Sequence, residues 1–290
     1  MNLVTFAQTA AGGLLTGGVY ALVGIGLTLV FGVMRIVNFS HGELLAVGMY
    51  LAFVLFRRFG VDPYASLLLV APAGAALGVA IERLLLAPIA GAPEHAAILM
   101  TVGVGLILSN ALLFLFGAHP QTIFTSYSTA TVHVGPLSLS APLLVSFAIT
   151  VAVVAALYAV LTRTDLGRAI RATSQNRAAA ELQGVDTALV RTTVFVVGTS
   201  LAMAAGVLLL PVLYVFPTVG SVFTLKAFVV TVLGGMGSVV GAILGGLLLG
   251  VVESLGAALG ATGYRDAIGL VAFLAVLLVR PAGLFGRSRV

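Results

Sequence analysis

The sequence predicts an all-α, polytopic membrane protein of about eight to ten transmembrane helices. Of its 290 residues, 60% are hydrophobic and only 8% are charged, whereas roughly a quarter of a soluble domain is charged. Mean hydropathy is +1.20. The apolar residues also fall in continuous blocks of roughly 15 to 27, long enough to cross a hydrocarbon core of about 30 Å as helices. A membrane barrel would show alternating strands of about ten residues instead. A soluble enzyme is thereby excluded.

Apolar runs between charged punctuation give candidate spans near residues 7–33, 41–56, 64–86, 96–117, 141–162, 192–215, 217–235, 238–256 and 265–280. The whole chain, 1–290, reads as one transmembrane domain with an N-terminal half to about 162, a loop at 163–191 and a C-terminal half from about 192. No charged side chain occurs before Arg35, so the positive leader of a signal peptide is missing and the first span is expected to be retained. The linker from Gly117 to Ser140 is polar but almost uncharged and reads as an external loop. With Cys 0 and Trp 0, disulfides and thiolate sites are excluded, and interfacial aromatics must be Tyr or Phe.

Orientation follows the basic residues. The loop holds Arg163, Arg168, Arg171, Arg177 and Arg191 against Asp165, Glu181 and Asp186, and is expected to be cytoplasmic. Arg280, Arg287 and Arg289 put the C-terminus on the same side, and span parity then puts the N-terminus outside. Arg57 and Arg58 fall on the wrong side of that scheme.

Two short spans follow polar or glycine-rich breaks: Asn38-Phe39-Ser40-His41-Gly42-Glu43, and Gly234-Gly235-Met236-Gly237-Ser238. Unwound backbone in a bilayer needs a protein-lined or wet cavity, and transporters place such breaks at the substrate path. Asn38, Ser40, His41, Gly42, Glu43, Gly234, Gly235, Gly237 and Ser238 are therefore path candidates, with the two breaks expected to line one cavity. A plainer reading makes the breaks connecting turns, and His41 with Glu43 a local pair capping the second span. Glu253, close to a helix end, reads as an interfacial or packing residue, with a proton site as the alternative. Ser109 and Asn110 are read as helix-packing groups, and Gly241, Gly245, Gly246 and Gly250 have the small-xxx-small spacing of close helix contact.

The lone lysine, Lys226, lacks the glycine-rich loop of a nucleotide-binding lysine, so ATP chemistry would have to come from another subunit. His95, His119 and His133 lack metal-ligand spacing, and no nucleophilic triad can be placed; neither metal nor cofactor is expected. In the loop, Ser174 is a candidate N-cap, Gln175 to Gln183 form a short helix, Gly184 suits its C′ position and Asp186 caps the next helix. Arg171 and Arg177 could meet acidic groups of a docking partner while the alanine face enters a groove.

Four blocks carry a resemblance: Gly26 to Ala52, Thr164 to Asp186, Val232 to Ser254 and Leu277 to Gly286. Together they are similar to the permease subunit of branched-chain amino acid ABC importers, the H-type of the two Liv permeases. The resemblance implies a type II-like importer core in a bacterial inner membrane. Its other parts would be a paralogous permease, two cytoplasmic ATPases and a periplasmic substrate-binding protein, with import driven by ATP. The family's cytoplasmic Glu-Ala-Ala…Gly motif aligns with Ala178, Ala179, Ala180 and Gly184; the glutamate position is Ala178 here. Arg168, Arg171, Arg177, Ala179, Ala180 and Gly184 are thus the implied ATPase-coupling residues. The alternatives are a permease for urea, amides or other amino acids, or a proton-coupled carrier using Glu43 or Glu253.

Overall fold

The computed structural model describes residues 2–285, so Arg287 and Arg289, part of the basic C-terminus, lie outside the described residues. Eleven α-helices occur among them: α1 (Leu3–Met34), α2 (His41–Phe59), α3 (Leu67–Ile81), α4 (Glu94–Phe116), α5 (Ala141–Arg163), α6 (Asp165–Gln175), α7 (Arg177–Leu182), α8 (Thr187–Leu209), α9 (Val219–Gly234), α10 (Val239–Gly256) and α11 (Arg265–Val279). Six helical stretches are long and apolar enough to cross a membrane: those built on α1, α3, α4, α5, α8 and α10. The loop at 117–140 is not wholly irregular. It holds a hairpin, β1 (Thr131–Val134) paired antiparallel with β2 (Leu137–Ser140), because Gly135 supplies the left-handed turn (φ 58) between two short alternating runs.

The start of α1 lies against this hairpin, where Gln8 bonds the backbone of Ser138. Its other end meets the arginine-rich loop through Arg35, whose guanidinium donates to the Ser174 carbonyl at 2.9 Å. These contacts define a hairpin face and a basic face. Helices α1, α3, α5 and α11 run toward the basic face, and α4, α8 and α10 run back. Each of α2 and α9 completes a crossing only together with the non-helical segment before it.

Apolar on every side, α1 is the hub, as expected for a helix hydrophobic all round: 83% of its most apolar window is buried, against 11% for α5 on the periphery. It packs on α8, α9 and α10, so the two halves of the sequence share one core. The α1–α10 seam is made of small residues. A Cβ on Gly17 would stand 2.7 Å from the Gly246 carbonyl oxygen, so only glycine lets these backbones meet. The packing role read for Gly241, Gly245, Gly246 and Gly250 is the one their contacts show: all four press on the backbone of α1 or α9.

Near the basic face, α3 passes into a π-helical turn at Glu82–Leu86, fixed by an ion pair. Arg191 Nε donates to Glu82 Oε1 at 2.8 Å and Thr192 Oγ1 to Glu82 Oε2 at 2.8 Å, with the Glu82 side chain 1% exposed.

Candidate functional site

The first break is deep. Residues 35–40 leave the basic-face end of α1 and run back into the bundle, and α2 starts where His41 Nε2 lies 2.9 Å from the Val23 carbonyl oxygen. Val23 precedes Met34 by three helical turns, or roughly 16 Å at 1.5 Å per residue, which is about half the hydrocarbon thickness. Beside it, Gly42 N donates to Thr224 Oγ1 at 3.0 Å, in the first turns of α9. α9 therefore also begins at mid-depth. It reaches that point through Leu210 to Thr218, a non-helical stretch of turns with Pro211 and Pro217 that returns from the hairpin-face end of α8. The two half-helices start side by side and run to opposite faces.

This corrects the pairing expected from sequence. The deep counterpart of Asn38–Glu43 is 210–218, whereas Gly235–Ser238 is the turn between α9 and α10 at the basic face. Gly237 packs on Gly32, nine residues or about 13 Å along α1 from Val23. Asn38, Ser40, His41, Gly42 and Glu43 thus stand together at mid-depth, and Gly234, Gly235, Gly237 and Ser238 stand together elsewhere. At that second turn, Ser238 caps α10 by accepting from Gly241 N at 3.0 Å, and Gly235 and Gly237 take left-handed φ of 101 and 89. The sequence divides two spans at residue 216 but gives no sign that the break is deep, because Leu210-Pro211-Val212-Leu213-Tyr214-Val215-Phe216-Pro217 is as apolar as a helix; its two prolines are the available signal.

Beside the paired helix starts lies an open groove of about 320 Å³. Phe39 and Glu43 line it from the first break, Thr218, Ser221 and Thr224 from the second, and Val102, Gly105, Leu106 and Ser109 from α4. His41 and Glu43 do not form the local cap pair considered above, because the His41 ring turns to Val23 while Glu43 turns to the groove wall. Glu43 is 7% exposed. Among the described residues, no cation or hydrogen-bond donor meets its carboxylate, and its Oε2 is fully enclosed without a partner. Asn38 accepts from Ser40 Oγ at 2.7 Å but leaves its own Nδ2 unpartnered. Ser109 approaches the Pro217 carbonyl at 3.4 Å, while Asn110 donates to Leu106 O of its own helix at 2.8 Å rather than across helices.

A second polar cluster was not legible as a unit. Lys226 of α9 bonds both Glu253 of α10 and Asp266 of α11, the latter at 2.7 Å. Glu253 also accepts from Arg265 Nε at 3.2 Å and Tyr20 Oη at 3.1 Å. Lys226 Nζ stands 4.9 Å above the Tyr20 ring. Glu253 is thus a buried packing partner held between two cations. Its neighbours come from three other helices far apart in sequence, so spacing could not reveal them.

On the basic face, the loop forms two helices rather than one. Thr164 caps α6, accepting from Gly167 N at 3.1 Å, and Asn176 caps α7, accepting from Ala179 N at 3.1 Å. Asn176, not Ser174, is therefore the cap of the alanine-rich helix; Ser174 lies within α6 and bonds back to Arg171 O. Gly184 takes the left-handed turn (φ 82) after α7, and Asp186 caps α8 through Leu189 N at 2.9 Å. Arg168 pairs with Asp165, and Arg177 Nε with Glu181 Oε1 at 3.0 Å. The Thr187 hydroxyl also bonds Glu181, and with Arg177 beside it holds that carboxyl below its ordinary value. Arg171, Arg177, Ala179 and Gly184 face outward, whereas Ala180 is buried. Leu182 projects 85% exposed from the same surface.

Broken half-helices meeting at mid-depth, with a capped helix pair on one face, define a transport-type membrane protein. The family model described as "Branched-chain amino acid transport system / permease component" matches residues 9–279, and the chain belongs to that family. It is 33% identical to the high-affinity branched-chain amino acid permease protein BraD of Pseudomonas aeruginosa, over 98% of this chain and 97% of the relative. Against LivH of Escherichia coli K12, the figures are again 33%, 98% and 97%. The ribose import permease protein RbsC of Escherichia coli K12 is 30% identical over 90% of this chain and 82% of its own length. No solved structure gives a significant match.

Proposed function

We propose that this chain is a transmembrane subunit of an ATP-driven importer and forms part of the path for leucine, isoleucine and valine. The observation that carries the reading is full-length similarity to LivH and BraD proteins, joined to a mainly apolar groove, edged by Glu43 and hydroxyl side chains, where two half-helices begin inside the bundle. Half-helix ends at mid-depth leave backbone groups needing water, protein or cargo, which suits a path. The groove opens at the protein's side beside the exposed apolar face of α4, so a paralogous permease packed there would close it into a channel.

On the same reading the basic face is cytoplasmic and the hairpin face external. The α6–α7 pair, with Arg168, Arg171, Arg177 and Gly184, docks one of two partner ATPases, and a periplasmic binding protein delivers cargo to the hairpin face. Asn38 to Glu43 belong to the path wall. Gly234 to Ser238, at the basic-face end, belong to its exit.

The test is reconstitution with partner permease, ATPases and binding protein in proteoliposomes, with leucine, isoleucine and valine uptake compared against urea and ribose. ATP-dependent uptake of the three amino acids, unaffected by a proton uncoupler, is expected. Ribose uptake in their place would reassign the cargo, and uptake without ATP that collapses with the proton gradient would make the chain a secondary carrier.

A further inference from the structure

Glu43 is a carboxylate enclosed at mid-depth without a countercharge, and such a group is costly in a membrane interior unless something neutralises it. Every other carboxylate of the described bundle interior has a cation: Glu82 has Arg191, and Glu253 has Lys226 and Arg265. The groove around Glu43 holds a second unfilled feature. The N-terminal end of α9 opens on it, and Thr218 does not cap that helix with its side chain, whereas the first amides of α2 are taken, His41 N by the Asn38 carbonyl and Gly42 N by Thr224 Oγ1. A helix start presents unpaired N–H groups and the positive end of the backbone dipole, which suits an anion. The opposite wall is apolar, built from Val102 and Leu106.

We infer that this groove recognises the zwitterionic head of an apolar α-amino acid. The Glu43 carboxylate receives the ammonium group. The uncapped first turn of α9 receives the carboxylate through its backbone N–H groups, the Ser221 hydroxyl being bonded to the Thr218 carbonyl at 2.8 Å, and Val102 and Leu106 receive the aliphatic side chain. An ammonium and a carboxylate on one carbon match an anion set beside a helix start, whereas a sugar or urea would leave Glu43 without its countercharge. The inference rests on the reading of the chain as an amino acid permease and adds which atoms meet the cargo. Because the groove is open on one side, the contact is transient rather than a trap.

The test uses the assembled complex in proteoliposomes. Glu43→Gln should lower leucine uptake by about tenfold or more, the loss expected when a hydrogen bond to a charged group disappears. Stimulation of ATP hydrolysis by the loaded binding protein should persist, and Glu43→Asp should retain part of the uptake. Glu43→Gln uptake within twofold of wild type would overturn the inference. A second arm does not depend on changing Glu43: since the chain has no cysteine, Leu106→Cys can be labelled alone in the groove. Leucine should slow its reaction with a polar maleimide, whereas isopentylamine, which lacks the carboxylate, and 4-methylpentanoate, which lacks the ammonium, should not. Equal protection by all three, or none by leucine in a complex that transports it, would also overturn the inference. Failure of the wild-type complex to take up leucine would instead remove the functional reading beneath it.

Discussion

The ammonium of Lys226 rests on the carboxylate of Glu253, two groups whose side chains are 10% and 2% exposed, deep between α9 and α10. Removing one partner of a buried pair leaves an uncompensated charge, at a cost of about 3–5 kcal/mol. Arg265 still faces Glu253, so Lys226→Met should fall at the low end of that range. The double variant Lys226→Met with Glu253→Gln should recover part of the loss. Thermal unfolding of the detergent-solubilised protein checks both, and a double variant less stable than the single one would contradict the pairing.

Gly184 has nothing within 4 Å of where a Cβ would stand, so its only demand is conformational, a φ of 82. Gly184→Ala should therefore cost roughly 1–2 kcal/mol locally, and Gly184→Val more, because β-branching narrows the choice further. If the α6–α7 pair docks the ATPase, uptake should fall in the order glycine, alanine, valine while membrane insertion is unchanged. Full coupling in Gly184→Val would detach the turn from energy transfer.

The Glu181 carboxyl is held below 4.5 first by the Thr187 hydroxyl and then by Arg177. A depressed folded-state value means that the stabilisation is present above about pH 4.5 and disappears as pH falls through the lower, folded-state value. Amide protection at Gln183 and Gly184, taken relative to the intrinsic exchange rate at each pH, should fall on acidification in that window. Glu181→Gln should be less protected at neutral pH, with a protection factor flat across the window; an unchanged acid response would show that another group controls the turn.

Orientation can be read from single cysteines. Ser126, exposed in the hairpin-face loop, should react as Ser126→Cys with an impermeant reagent added to whole cells. Gln183→Cys, on the basic face, should react only in inverted vesicles. The opposite pattern would turn the protein over in the membrane. Ser288, at the basic C-terminus, is a second probe for the same side but lies outside the described residues.

Much of the architecture is visible in hydropathy because each crossing needs its own apolar run, and the expected spans fall on the observed helices. The Asn38–Glu43 break is legible because it interrupts a long apolar stretch with polar residues. Its partner at Leu210–Thr218 shows in the sequence only as a boundary between two spans near residue 216, because an apolar turn segment and an apolar helix have the same composition and hydropathy does not report depth. The Asn176 cap lost out to Ser174 in the sequence because both residue types cap helices and local spacing does not choose between them. The charge cluster around Glu253 needed the packing of four helices before it could be seen.

The meeting of α2 with α9 also bears on how the protein is made. Gly42 bonds Thr224 across 182 positions of sequence, so the open end of α2 emerges from the ribosome long before the helix that covers it. At about 5–20 residues per second, that delay is roughly 10–40 s. During this interval Asn38, His41 and Glu43 must be sheltered by the insertion machinery, by water or by a holding factor. Biogenesis of this chain should therefore be most vulnerable while the residues between Gly42 and Thr224 are being made, and truncations ending before Val219 should be degraded even though most of their membrane-crossing helices are complete.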